Sequence, residues 1–201
     1  MMEAGNLSGA GEEAPHYAFK PSLMGAPWEF WLRPHALAWR TGMHEGEIPY
    51  RDITSVRLTY RPMTMQTRRF VAMIRSAGGP RLVIASSSWR SMVEHANQIG
   101  AYSAFMRALH QRLADRGGGA VRFQAGLPAP LYWPGLAAFL VIAGTTAALA
   151  VRALILGEWA AAALIGGFVA LFAWHSGGFF DRNRPRTYRP DALPDKLVPP
   201  N

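Results

Sequence analysis

The stretch VRALILGEW, residues 151–159, lies inside the most apolar part of the chain and carries two charges, Arg152 and Glu158. On its upstream side, residues 131–151 form a run of twenty-one positions without a charge, LYWPGLAAFLVIAGTTAALAV. Downstream, residues 159–180 add twenty-two more, WAAAALIGGFVALFAWHSGGFF. A helix needs about 20 apolar residues to cross a hydrocarbon core of ~30 Å. Each run suffices alone and the pair is too long for one crossing. Arg152 and Glu158 therefore mark a turn between two spans, which predicts a transmembrane hairpin with helix 1 over residues 131–156 and turn plus helix 2 over 157–180.

The flanks agree. Tyr132, Trp133, Trp159, Trp174, Phe179 and Phe180 stand near the ends of the spans, where Trp and Tyr favour the headgroup level. Pro134 falls in the first turn of its helix, where a missing N–H costs little. Arg112, Arg116 and Arg122 precede the first span, and Arg182, Arg184, Arg186 and Arg189 follow the second. The turn has Arg152 offset by Glu158. The positive-inside rule then puts both ends of the hairpin in the cytoplasm. The expected location is a bacterial inner membrane, with two spans and cytoplasmic N- and C-termini. Small residues recur every four positions, at Gly144 and Ala148 and at Ala162, Gly166 and Ala170. Such faces let helix backbones approach closely, either within the hairpin or between two copies.

Outside the hairpin the chain is basic. The net charge is +8, and nineteen of the twenty-one basic residues are Arg. Cysteine is absent, which excludes a disulfide scaffold, a thiolate metal site and a Cys nucleophile. Residues 1–26 open with MMEAGNLSGAGEEAP, an acidic Gly/Ala-rich stretch without the basic and apolar regions of a secretory signal, and read as a disordered lead.

Residues 27–116 have the periods of a soluble domain. ITSVRLTY alternates, with Thr54, Val56, Leu58 and Tyr60 on one face. RFVAMIR and RLVIAS read as further strands around the turn AGGP, and WEFWLRP and ALAWR as an earlier pair. HEGE and YRPMTMQT read as connections. The period then changes: Ile99, Tyr102, Phe105, Met106, Leu109 and Leu113 form one helical stripe. The triplet GGG ends that helix, and residues 117–130 read as a linker to the membrane. Within this domain GEIPYRDITSVRL, through Ile48, Tyr50, Asp52, Ile53 and Val56, resembles the bacterial pleckstrin-homology-like families. The resemblance implies an α+β fold: a bent antiparallel β-sheet or barrel plugged by a C-terminal amphipathic helix, here followed by the transmembrane hairpin. It also implies a binding or scaffolding module and not a catalyst.

The chemistry-bearing residues are few. His44, Glu45 and Glu47 lack the HExxH spacing of a helical metal site and read as a solvated loop. His175 has no second His in either span and reads as interfacial. There is no phosphate loop, nucleophile elbow or dinucleotide fingerprint, so neither a catalytic residue nor a cofactor is expected. Lipid-binding pleckstrin-homology domains use a basic loop between the first two strands; the corresponding region offers only Arg33, His35 and Arg40, and no phosphoinositide site is carried over. Arg68, Arg69, Arg182, Arg184 and Arg186 are the candidate contacts to lipid headgroups or to a partner, each worth about 1 kcal/mol near an anionic surface. Nucleic acid is not expected as a partner, because no recognition motif or basic helix accompanies the charge. Residues 181–201 form an extended, Pro-rich cytoplasmic tail in which Tyr188, Leu193, Leu197 and Val198 could lie along the domain or engage a partner. The expected function is a non-catalytic adaptor or assembly factor, partnered by membrane lipid and by a membrane protein or a second copy. The alternative is an accessory subunit of a membrane enzyme or transport complex.

Overall fold

The computed structural model describes residues 14–62, 68–89, 95–116 and 121–199. The chain is α+β. Strands β1 (His16–Phe19), β2 (Trp28–Leu32), β3 (Ala36–Thr41) and β4 (His44–Pro49) form an antiparallel meander. A 3-10 turn at Tyr50–Asp52 leads into β5 (Ile53–Tyr60), which pairs antiparallel with β6 (Phe70–Ser76) and through it with β7 (Leu82–Ala85). A short ribbon of β8 (Ser87–Trp89) and β9 (His95–Asn97) precedes helix α1 (Ile99–Arg116). Strand β10 (Arg122–Ala125) runs parallel to β5. Helices α2 (Ala129–Ile155) and α3 (Trp159–Asn183) follow, and β11 (Arg186–Thr187) closes the second sheet against β10.

The core lies between the two sheets and α1. The apolar stripe of α1 is buried at Tyr102, Phe105, Met106, Leu109 and Leu113, against Phe30, Leu37, Val56, Leu58 and Ile84 of the sheets. In β5 the expected inward positions Val56, Leu58 and Tyr60 are buried, but Thr54 is not. A register shift between Ile53 and Ser55 turns Ile53 inward instead, and Thr54 Oγ1 donates to the Arg75 carbonyl at 3.2 Å. A bulge adds one residue to one strand, so the period-2 pattern slips by one at that point.

Several expectations are corrected. Of residues 1–26, expected as a disordered lead, 1–13 lie outside the described residues, and β1 lies within the rest, with Tyr17 and Phe19 buried. Tyr17 Oη donates to the Ala85 carbonyl at 2.7 Å, tying the first sheet to β7. HEGE is not a loop but most of β4. Thr41 pairs with His44, so the turn is the two-residue loop Gly42–Met43. Gly42 has φ +65, the sign a tight hairpin needs at its first loop position and one that glycine adopts without cost. The linker 117–130 contains β10, and the tail 181–201 contains the end of α3 and β11.

Helices α2 and α3 are long and apolar enough to cross a membrane. The core helix of a soluble protein can match them in length and hydropathy, but it would be mostly buried. Here 0% of the most apolar window of α2 and 6% of that of α3 is buried. The chain reverses between them at Gly157, with φ +80. Where the helices touch, the seam is aromatic: Phe139 lies 5.4 Å from Phe172 and 5.2 Å from Phe180, centroid to centroid. The small-residue faces are only partly covered, and Gly166 is half-buried. Ala162 is buried, whereas Gly144, Ala148 and Ala170 are exposed.

Candidate functional site: the cleft between the hairpin and the domain

The last residues of α3 are built into the β-domain. Asn183 is fully buried and its side-chain amide spans the backbone of Tyr60: Nδ2 donates to the Tyr60 carbonyl at 2.8 Å, and Oδ1 accepts from the Tyr60 N–H at 3.0 Å. That pair satisfies backbone groups at the end of β5. The Asn183 carbonyl in turn accepts from the Leu127 N–H at 2.9 Å. Between them stands Gly126, with φ +82, its N–H donating to the Leu58 carbonyl at 2.8 Å. A Cβ at Gly126 would run into the carbonyl oxygens of Asn183 and Arg184, so only glycine lets the two chain passes cross so closely. The approach to α2 and the exit from α3 are thus locked to β5 and to each other.

This junction opens on one side into a cleft of about 990 Å³. One wall is the domain, with Tyr60, Pro62 and Arg68. The other is the hairpin, with Phe139 and Ile142 of α2 and Phe172 of α3 at its apolar end. Arg182 sits at the top, its guanidinium 5.0 Å from the centre of the Tyr60 ring and its Nη1 donating to the Gly178 carbonyl at 3.2 Å. His175 lines the same cleft, about two helical turns from the end of α3.

Of the five candidate arginines the structure therefore brings two together, Arg68 and Arg182. Arg69 is half-buried outside this cleft, and burial, followed by the nearby Arg61 charge, lowers its pKa. Arg184 and Arg186 are exposed beyond α3, and Arg186 pairs along the backbone with Ala125. His44 lies on β4. Glu45 accepts from Arg40 Nε at 3.0 Å, Glu47 pairs with Arg33, and Arg40 also reaches Glu29 at 3.4 Å. These ion pairs form a ladder on the outer face of the first sheet. They surround Trp31, which stacks on His16 at 5.1 Å and carries Arg40 at 5.5 Å.

Sequence reasoning missed His110. It is buried on α1, with Nδ1 2.7 Å from the Met106 carbonyl and Nε2 2.8 Å from Tyr188 Oη. The carbonyl can only accept, so Nδ1 carries the proton and Nε2 accepts from the tyrosine hydroxyl. Burial pushes the imidazole pKa down to about 4. The available signal was its position: His110 is one residue from Leu109 and four from Met106, on the edge of the apolar stripe. The same contacts place the tail. Tyr188 packs on Phe123, Leu197 and Val198 are buried in the core, and Arg107 Nη2 donates to the Pro199 carbonyl at 2.7 Å. The tail lies along the domain.

Comparison with known proteins found no matching family model, no matching curated protein and no matching solved structure.

Proposed function

We propose that this chain is a non-catalytic scaffold of a bacterial inner membrane, presenting a cytoplasmic pleckstrin-homology-like domain on a two-span hairpin. The observation that carries the reading is the junction at Asn183 and Gly126. A flexible tether would leave the domain free to tumble; this one holds the domain in a set orientation over the hairpin, so that the outer face of its first sheet is offered at a defined height and angle. Such mounting suits a surface that must meet another membrane protein, because it removes orientational freedom before binding.

The order of elements supports the pleckstrin-homology-like part. A four-stranded meander is followed by the β5–β7 meander and then by a helix whose apolar stripe packs between them. The side-chain chemistry supports a binding role. Glu29, Glu45 and Glu47 are engaged by Arg40 and Arg33, and His110 by Met106 and Tyr188. Trp31 with Arg40 and His16 has the composition of an interface anchor, in which Trp and Arg carry most of the energy. The test is purification of the full chain from membranes solubilised in mild detergent, beside the Trp31→Ala and Arg40→Ala variants. The expected result is one membrane protein recovered in fixed ratio with the parent chain and lost from both variants. A parent chain that purifies alone, or recovery that both variants leave unchanged, contradicts the reading.

A further inference from the structure

The cleft beside the junction has the dimensions and polarity of one leaflet of a bilayer. Its cationic end is Arg68 and Arg182, at the level where α3 enters the domain. Its apolar end is Phe139, Ile142 and Phe172. From Arg182 back to Phe172 is ten residues of continuous helix, which at 1.5 Å per residue is about 15 Å. Half of a ~30 Å hydrocarbon core is about 15 Å. A groove that starts at two arginines and ends one half-bilayer deeper matches a lipid whose phosphate lies at the interface and whose chain reaches the midplane.

We propose that this cleft holds one anionic phospholipid of the cytoplasmic leaflet, its phosphate between Arg68 and Arg182 and one acyl chain along Phe139, Ile142 and Phe172. The proposal rests on the reading that α2 and α3 cross the bilayer. Guanidinium groups offer paired N–H donors that match phosphate oxygens. Arg182 is held in place by Tyr60 and by the Gly178 carbonyl, so little freedom is lost when the phosphate binds. Arg68 is exposed and approaches from the domain side, so the lipid would bridge domain and hairpin. A zwitterionic lipid carries its own cation and gains less from two arginines. This separates a specific site from ordinary boundary lipid.

The test uses the full chain in a mild detergent, analysed by native mass spectrometry while phosphatidylglycerol, phosphatidylcholine or inorganic phosphate is added. The expected result is a single bound phosphatidylglycerol, favoured over phosphatidylcholine, that inorganic phosphate does not displace. Arg68→Gln lowers its affinity about fivefold, the loss expected for one charged contact of about 1 kcal/mol. Arg68 is exposed, so this variant keeps the fold. Ile142→Trp fills the apolar end and also lowers occupancy, with both arginines intact. Arg184→Gln leaves occupancy unchanged. Equal uptake of both lipids in several copies, displacement by inorganic phosphate, an Arg68→Gln chain that binds like the parent, or a lipid-free dimer that buries the cleft would each overturn the proposal. Alkaline carbonate extraction of membranes separates the two levels. A chain released by carbonate defeats the membrane reading itself. A chain retained by carbonate but without selective lipid defeats the cleft alone.

Discussion

Two buried polar side chains do work that apolar ones could not. Asn183 closes two hydrogen bonds to the backbone N–H and carbonyl of one residue of β5, Tyr60. Replacing it with alanine leaves the Tyr60 N–H and carbonyl buried without those partners. The Asn183→Ala chain is expected to lose about 2–4 kcal/mol of stability, read as a lower midpoint in denaturant titration of the detergent-solubilised protein. Asn183→Asp is expected to lose stability as well, because a carboxylate cannot donate to the Tyr60 carbonyl. His110 acts through protonation. In the folded chain its pKa is pushed down from 6.5 to about 4, while in the unfolded chain it titrates near its ordinary value. Between these two values the unfolded chain binds a proton that the folded chain refuses, so stability falls as pH drops through that window. The loss is on the order of 3 kcal/mol and levels off below the folded pKa. Unfolding midpoints measured from pH 7 to pH 4 should show this decline in the parent, and His110→Gln should flatten it.

At the scale of elements, what was legible followed period and length. The two apolar runs, the turn at Gly157, the helical stripe of α1 and the pairing of β2 with β3 all read directly from residue patterns. Strands that are short, or that pair far along the chain, did not. β1 holds only Tyr17 and Phe19 inward, too few to make a visible alternation. β10 presents two buried residues, Phe123 and Ala125, and joins β5 in parallel across more than sixty residues. β11 is two residues long. Each owes its place to partners outside its own window, and local propensity carries no record of them. In the candidate site, Arg68 and Arg182 were recognisable as basic residues near apolar runs. Their meeting was not legible, because Asn183 brings α3 to β5 over a separation of 123 residues. The tail had a visible hint in Leu197 and Val198, apolar residues in a Pro-rich stretch, and these are now among the most buried side chains. Leu197→Ala is expected to cost about 2–5 kcal/mol, the range for emptying a buried leucine site. Hydrogen exchange in β10 and α1 should rise in that variant; unchanged protection would mean that the tail is dispensable to the core.

At the scale of the molecule, the hairpin, the domain and the tail form one connected unit. The chain leaves the domain through β10, passes Gly126, runs out and back through α2 and α3, and returns to the domain at Asn183. β11 and the buried Leu197 then seal the return. This path puts the domain and the tail at the same end of the hairpin, and Glu158 at the other end. On the proposed reading, the basic flanks put the domain end in the cytoplasm. The chain has no cysteine, so single substitutions report without background. The most direct measurement is labelling of Glu158→Cys and Asp191→Cys, each in intact spheroplasts, with a membrane-impermeant maleimide. The account predicts that Glu158→Cys reacts from outside and that Asp191→Cys reacts only after the membrane is opened. Reaction of Asp191→Cys in sealed spheroplasts, or equal reaction of both sites, would contradict it.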